Sequence, residues 1–510
     1  MKNETNTGII LNYILIVLTV ISSIIVAPVL IGGMSNELYG IYTNVFSVLV
    51  LLIAADFGIG TVVIRNVVKY ISRNDKESLE NYMFWMFWVY VFFAGVIFVL
   101  CMTAFFLTPY LFNFSGDKMK MYKYMFLLMS LNCTALFIQN YLFSIITGYG
   151  KMIFTRACNI VKVVLRTVFF ILIASYVTKP PLFSLLFLVD IILCVLIIFA
   201  FYIYIKKQNI KIKYHFFNKS LIFKNMRDML YLYIMPLSEN SYWMICSTVI
   251  ILVMGSEWSA VFAISATFCQ IFSQLATTLS YFKMPECSDI WFKRKNNDEF
   301  NSFVNESGKI QTAFLGLILV CFIAFGRTFL YIWMGNVWSA HDINLAFTIA
   351  LLMLVSFFFP YSQSMLEIAS YAQNKYLGRA VILVLSTAFN TIFLWFGLKT
   401  FGLIGAGYAV VASTIIFRFI LMNIYFHRIG LGVKSYIYNI NVKILPTLLI
   451  TTGIGAGALI FMYDSMQVQI AAGIVSTMIY LILIYMLYLS DNQKNAIRNM
   501  VKRFLPLKGK

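Results

Sequence analysis

Leu182-Phe183-Ser184-Leu185-Leu186-Phe187-Leu188-Val189-Asp190-Ile191-Ile192-Leu193-Cys194-Val195-Leu196-Ile197-Ile198-Phe199-Ala200-Phe201-Tyr202-Ile203-Tyr204-Ile205, closed at once by Lys206-Lys207, is the stretch that decides the fold. A run of ~18 or more apolar residues is long enough to cross a ~30 Å hydrocarbon layer as a helix. This one carries a single charge and ends on two lysines. It has many counterparts. Spans of the same kind are expected at 9–31, 40–64, 82–107, 121–147, 160–178, 182–205, 229–254, 258–282, 310–334, 343–371, 377–397, 402–426, 443–463 and 467–489. The chain of 510 residues is 61% hydrophobic and 12% charged, against ~45–50% and ~25% for soluble domains. The expected fold class is therefore an all-α membrane protein with about 14 transmembrane helices. No segment between spans is longer than 27 residues, which leaves no room for a soluble catalytic domain, and no enzyme is expected. The first span is too long in its apolar core, and too poor in preceding basic residues, for a cleavable signal peptide.

The net charge of +19 is explained by its placement. With the N-terminus inside, thirty Lys and Arg fall on inner segments, while Lys118, Lys120, Lys123, Lys179 and Lys399 are outside. That asymmetry predicts an even number of crossings with both termini cytoplasmic, and it removes the need for a nucleic-acid partner. Outer connections are 13 residues or shorter, so function is expected among the helices. The eight cysteines form no C-x-x-C pair and read as small buried residues; the three histidines are scattered and propose no metal site.

Two junctions look alike. Gly33-Met34-Ser35-Asn36-Glu37 opens the second span and Met254-Gly255-Ser256-Glu257 the eighth, each with an aromatic, Tyr42 or Phe262, five residues beyond the acid. Pro28 and Pro236 fall in the equivalent first and seventh spans. The reading is a repeat: a six-helix lobe at 1–227, a second at 228–442, and two further helices with a basic tail at 443–510, around a central cavity.

Charges inside spans cost ~2.5–3.5 kcal/mol each at the bilayer centre, so they mark cavities or partners. The bases are Lys162, Arg166, Arg327 and Arg418; the acids are Asp56, Asp190, Glu239 and Glu367. Lys162 and Arg166 are one helical turn apart on one face and repel unless an anion or acid sits between them. Two readings stay open. Four acids match four bases, which suits interhelical ion pairs. Alternatively Lys162, Arg166, Arg327 and Arg418 line a cationic cavity for an anionic head group, with Glu239, Asp56 or Asp190 as H+ or Na+ coupling sites. Asn132, Gln139, Asn140, Gln270, Gln274 and Asn390 bond neighbouring helices or, in the second reading, sugar hydroxyls. Trp85, Trp88 and Tyr90 read as interface and lipid-facing aromatics, and Gly402, Gly405 and Gly407 as close helix packing.

Ala55-Asp56-Phe57-Gly58-Ile59-Gly60 with Arg65, Pro285 after the eighth span, Trp333-Met334-Gly335 closing the ninth, and Asn390 followed by Gly402-Leu403-Ile404-Gly405-Ala406-Gly407 resemble the motifs of bacterial polysaccharide flippases of the Wzx type. Gly407 stands where that pattern usually has Ala. The resemblance implies membership of the multidrug/oligosaccharidyl-lipid/polysaccharide exporter superfamily. It also implies alternating access by two six-helix lobes and outward flipping of undecaprenyl-pyrophosphate-linked oligosaccharide units for O-antigen, capsule or exopolysaccharide. The partners implied are that substrate, membrane lipids, and a polysaccharide polymerase with chain-length machinery. The location implied is a bacterial cytoplasmic (inner) membrane. No cofactor is expected beyond an H+ or Na+ gradient. The alternatives are an ion-coupled multidrug cation antiporter of the same superfamily and a flippase for another lipid-linked cell-wall precursor.

Overall fold

The computed structural model describes residues 2–54, 60, 63–64, 66–68, 70–71, 73–111, 116–177, 179–214, 219–293, 297–373, 375, 377–461, 466–491 and 493–495. Hydrocarbon offers no hydrogen bonds, so each crossing must satisfy its backbone internally, and helices do so. Every regular element among the described residues is helical. The helices are α1 (Lys2–Met34), α2 (Asn36–Ala54), α3 (Lys76–Leu111), α4 (Asp117–Gly148), α5 (Met152–Tyr176), α6 (Leu185–Lys207), α7 (Lys219–Met254), α8 (Ser256–Phe282), α9 (Met284–Lys293), α10 (Asn297–Met334), α11 (Ala340–Ser362), α12 (Ser364–Ala372) and α13 (Leu377–Phe401). The last three crossings each contain a π-helical stretch. α14 runs Ile404–Ser413, Thr414–Leu421 (π) and Met422–Arg428; α15 runs Val433–Tyr436, Ile437–Val442 (π) and Lys443–Phe461; α16 runs Met466–Leu483 and Ile484–Tyr488 (π).

Thirteen described helical segments are long and apolar enough to span a membrane. They correspond to every expected span except the second, whose later half (with Asp56) lies outside the described residues. The chain is a multi-pass membrane protein. Two boundaries differ from expectation in an informative way. The ninth span begins as helix at Asn297, because its amphipathic first turns continue the helix beyond the apolar run. The tenth is two helices, broken at Gln363 three residues after Pro360, which has no N–H for the ladder.

The chain divides into two compact units, Met1–Ala263 and Ile264–Lys510. In the first, α1 packs along α5, and α4 packs against α2, α3 and α6. Tyr90, expected at an interface, is buried in this core against Tyr141 and Phe137, at ring separations of 5.4 and 6.3 Å. Trp88, by contrast, is exposed on the lipid-facing surface with Phe92 and Val99. The two look-alike junctions share geometry: Ser35 (φ 80°) and Gly255 (φ 103°) both turn through the left-handed region. A Cβ on Gly40 would run into the Ser256 backbone, so α2 passes directly against the second junction. Asn44 Nδ2 donates to Thr248 Oγ1 (3.1 Å) along the same seam.

In the second unit α10 packs against α11, α15 and α16. Thr328 Oγ1 donates to Gln469 Oε1 (2.8 Å), and the Tyr480 hydroxyl to the Ala313 carbonyl (2.8 Å). The break in the tenth span is closed by side chains. The Tyr361 carbonyl accepts from Gln311 Nε2 (2.9 Å), and the Ser362 carbonyl accepts from the Tyr436 hydroxyl (2.7 Å). Carbonyls freed by the missing helical bonds are thereby satisfied in a buried setting, as an apolar surround demands. α13 and α14 meet at Gly397 and Gly405, where a Cβ on either would collide with the other's backbone. Of the cysteines, Cys158 and Cys321 are half-buried and the other six buried, including Cys287, which sits on α9 and not in a loop.

Candidate functional site

Among the described residues of the first unit, Lys162, Arg166 and Asp190 on α5 and α6 form a charged group inside the spans, with Gln139 of α4 and Tyr42 of α2 alongside. Helical spacing puts Lys162 and Arg166 one turn apart on α5. Arg166 Nε donates to Asp190 Oδ1 (2.8 Å) and Nη2 to Oδ2 (3.3 Å), a two-bonded fork between α5 and α6. The guanidinium lies over the rings of Phe170 (4.4 Å) and Phe46 (5.3 Å), with the Tyr42 hydroxyl hydrogen-bonded to it. Lys162 Nζ donates to Gln139 Oε1 on α4 (3.3 Å). Among the described residues Asp190 is the carboxylate beside these two bases, so the described group has one more base than acid. Asp190 is buried and Arg166 partly open, which makes this a pre-oriented cationic group facing more than its own partner. Asn132, seven residues before Gln139 and on the same face of α4, is buried with its Oδ1 atom lacking a hydrogen bond.

In the second unit the expected bases are apart. Arg327 Nε on α10 donates to Asn344 Oδ1 on α11 (2.9 Å) and lies over Tyr331 (5.7 Å). Arg418, in the π-helical stretch of α14, is buried over the Phe357 ring (5.5 Å). Asn344 and Phe357 are thirteen residues apart on α11, about 20 Å of helical rise, so these two arginines do not form one cluster. Glu239 is half-buried on α7. Asn390 is used between helices, its Oδ1 accepting from Ser413 Oγ (3.2 Å).

One ionic partner escaped the sequence reading. Arg379, counted with the inner loop charges, is 5% exposed. Its Nη2 donates to Glu367 Oε2 (2.6 Å) and its Nη1 to the Tyr371 hydroxyl (2.9 Å). The signal was present as an acid and a base twelve residues apart across a short connection, but such spacing is not a helical neighbour relation. Outside the spans, Asp75 caps α3. Its Oδ1 accepts from the Ser78 N–H (3.1 Å), and the Ser78 hydroxyl and N–H hold its carboxyl below the usual carboxylate range.

No family model and no curated protein matches the chain. Solved structures do. A structure of the lipid II flippase MurJ in an inward closed conformation superposes with a TM-score of 0.70 at 18% identity, covering 94% of this chain and 98% of that one. An inward-facing multidrug resistance MATE family transporter of the MOP superfamily gives 0.63 at 15% identity, covering 80% and 95%. A MOP superfamily transporter from Pyrococcus furiosus gives 0.58 at 14% identity, covering 82% and 93%. At these identities the likeness is one of architecture, and the chain has the all-helical fold that these membrane transporters share.

Proposed function

We propose that the protein flips lipid-linked oligosaccharide repeat units across the cytoplasmic membrane for surface polysaccharide assembly, by alternating access of two six-helix lobes. The observation that carries this reading is the Lys162–Arg166 pair with one carboxylate, Asp190, beside it among the described residues. A net positive group on helices suits the pyrophosphate of a lipid carrier and repels a cationic drug. In this reading Lys162 and Arg166 contact the head group, Arg327 and Arg418 act at other depths, and Glu239 or Asp56 couples transport to H+ or Na+. Asp190 orients Arg166.

A lipid-linked cell-wall precursor is the second reading, favoured by the greater share of the chain that the lipid II flippase structure covers, 94% against 80% for the drug transporter. A deletion strain separates them. Loss of surface polymer with complete repeat units accumulating on the cytoplasmic leaflet is expected. Unchanged polymer with accumulating peptidoglycan precursor selects the second reading, and altered drug resistance with both pools unchanged rejects both.

A further inference from the structure

Away from the charged spans, the second unit holds a cavity of about 200 Å³ lined by Trp291, Phe300, Asn301, Gln373, Lys375 and the Ile429–Gly430 turn. It lies where α9, the start of α10, the end of α12 and the end of α14 converge, at the helix ends that carry most of the Lys and Arg. Four features define what it can hold. Gln373 Oε1 is buried without a hydrogen-bond partner among the described residues, so it needs a donor. Lys375, exposed at the rim, donates from Nζ to the Ile429 carbonyl (3.2 Å) and keeps two further N–H groups that an entering anion can take over from water. Trp291 and Phe300 meet edge to face at 5.0 Å on one side of an otherwise polar lining. Gly430, at φ 88°, turns the backbone through the left-handed region beside Lys375.

A buried acceptor that takes a hydroxyl, a cation at the rim that takes an anion, and an aromatic pair at one side of a polar lining describe a phosphorylated polyol. The size agrees: drug-sized ligands take cavities of ~300–1,000 Å³, and this one is smaller. We propose that this cavity binds the head of a phosphorylated polyol, either a glycerophospholipid such as phosphatidylglycerol at the membrane surface or a free sugar phosphate. The site is separate from the transport cluster, and its occupancy does not depend on the transport reading.

The test uses the full chain in nanodiscs and Trp291 fluorescence, with Trp291→Phe identifying that residue's share of the signal. The free probe is glucose 1-phosphate added to phosphatidylcholine nanodiscs; the lipid probe is phosphatidylglycerol titrated into the same discs. Gln373→Leu removes an unsatisfied buried acceptor and leaves folding intact; Lys375→Met removes the cation from the rim. A Trp291-dependent signal with either probe, weakened about tenfold by each variant, supports the site and assigns its source. Silence with both probes, or binding that neither variant weakens, overturns it.

Discussion

The Tyr436 hydroxyl donates to the Ser362 carbonyl at 2.7 Å, so a residue of α15 completes the backbone of a helix broken more than seventy positions earlier. Both partners are fully buried. Thr312 Oγ1 also reaches that carbonyl, but at 3.4 Å. Removing the Tyr436 hydroxyl therefore leaves a buried acceptor poorly satisfied, at a cost of ~1–3 kcal/mol. Tyr436→Phe should lower the denaturation midpoint of the purified protein accordingly. A midpoint equal to that of the wild type would show that Thr312 alone suffices.

Arg166 and Asp190 should behave as one unit. Breaking a buried pair from one side costs ~3–5 kcal/mol, and the lower end applies because Arg166 is partly open. Asp190→Asn leaves Lys162 and Arg166 facing each other without the carboxylate that the described residues place beside them. Arg166→Gln leaves Asp190 with Lys162 nearby. A double-mutant cycle on unfolding free energy should show the double variant clearly less destabilised than the sum of the singles. Additivity would mean that the fork contributes nothing as a pair. Lys162→Met, whose hydrogen bond to Gln139 is long, should spare stability and cut transport.

Acid should loosen the start of α3. The Asp75 carboxyl is held below its usual range by the Ser78 hydroxyl and N–H, so its ionised form is favoured in the folded chain. A depressed folded value gives stability that is present above the unfolded value near ~3.9 and lost as pH falls through the folded one. Hydrogen exchange at residues 76–80 should speed up as pH falls below about 4, once corrected for intrinsic rates. Asp75→Asn, which caps without ionising, should remove that pH dependence. A wild-type profile that stays flat would refute the assignment.

Gly405→Ala should be poorly tolerated, because its Cβ meets the Gly397 backbone and not a yielding side chain. Overpacking of this kind costs ~1–3 kcal/mol. Gly453→Ala, with open space around it, is the matched control and should leave the melting temperature unchanged. Equal effects at the two positions would remove the argument.

The spans were legible because length and hydropathy decide them without knowledge of neighbours. The break at Gln363 was not: Pro360 and the polar Ser362-Gln363-Ser364 mark the place, but the arrangement is held by Gln311 and Tyr436, far away in the chain. The charged residues of the first unit were legible through their insertion cost. Their pairing was not: Arg166 and Asp190 sit on different helices, 24 residues apart, and only packing shows which acid faces which base. Arg379 was hidden for another reason. It stands at a helix start among loop charges, where a topological count absorbs it. Tyr90 was misjudged because aromatic clusters along a span look alike whether they face lipid or core.

The meeting of Gly397 with Gly405 also bears on how the second unit deforms. Two backbones touching without intervening side chains have no soft layer in which to slip or rotate. α13 and α14 are therefore expected to move together as one hairpin. Flexing near this crossing falls to the π-helical stretch at Thr414–Leu421, whose wider turns can gain or lose a residue's worth of rotation. Arg418 rides on that stretch, so the register of one short helical segment sets where its charge points.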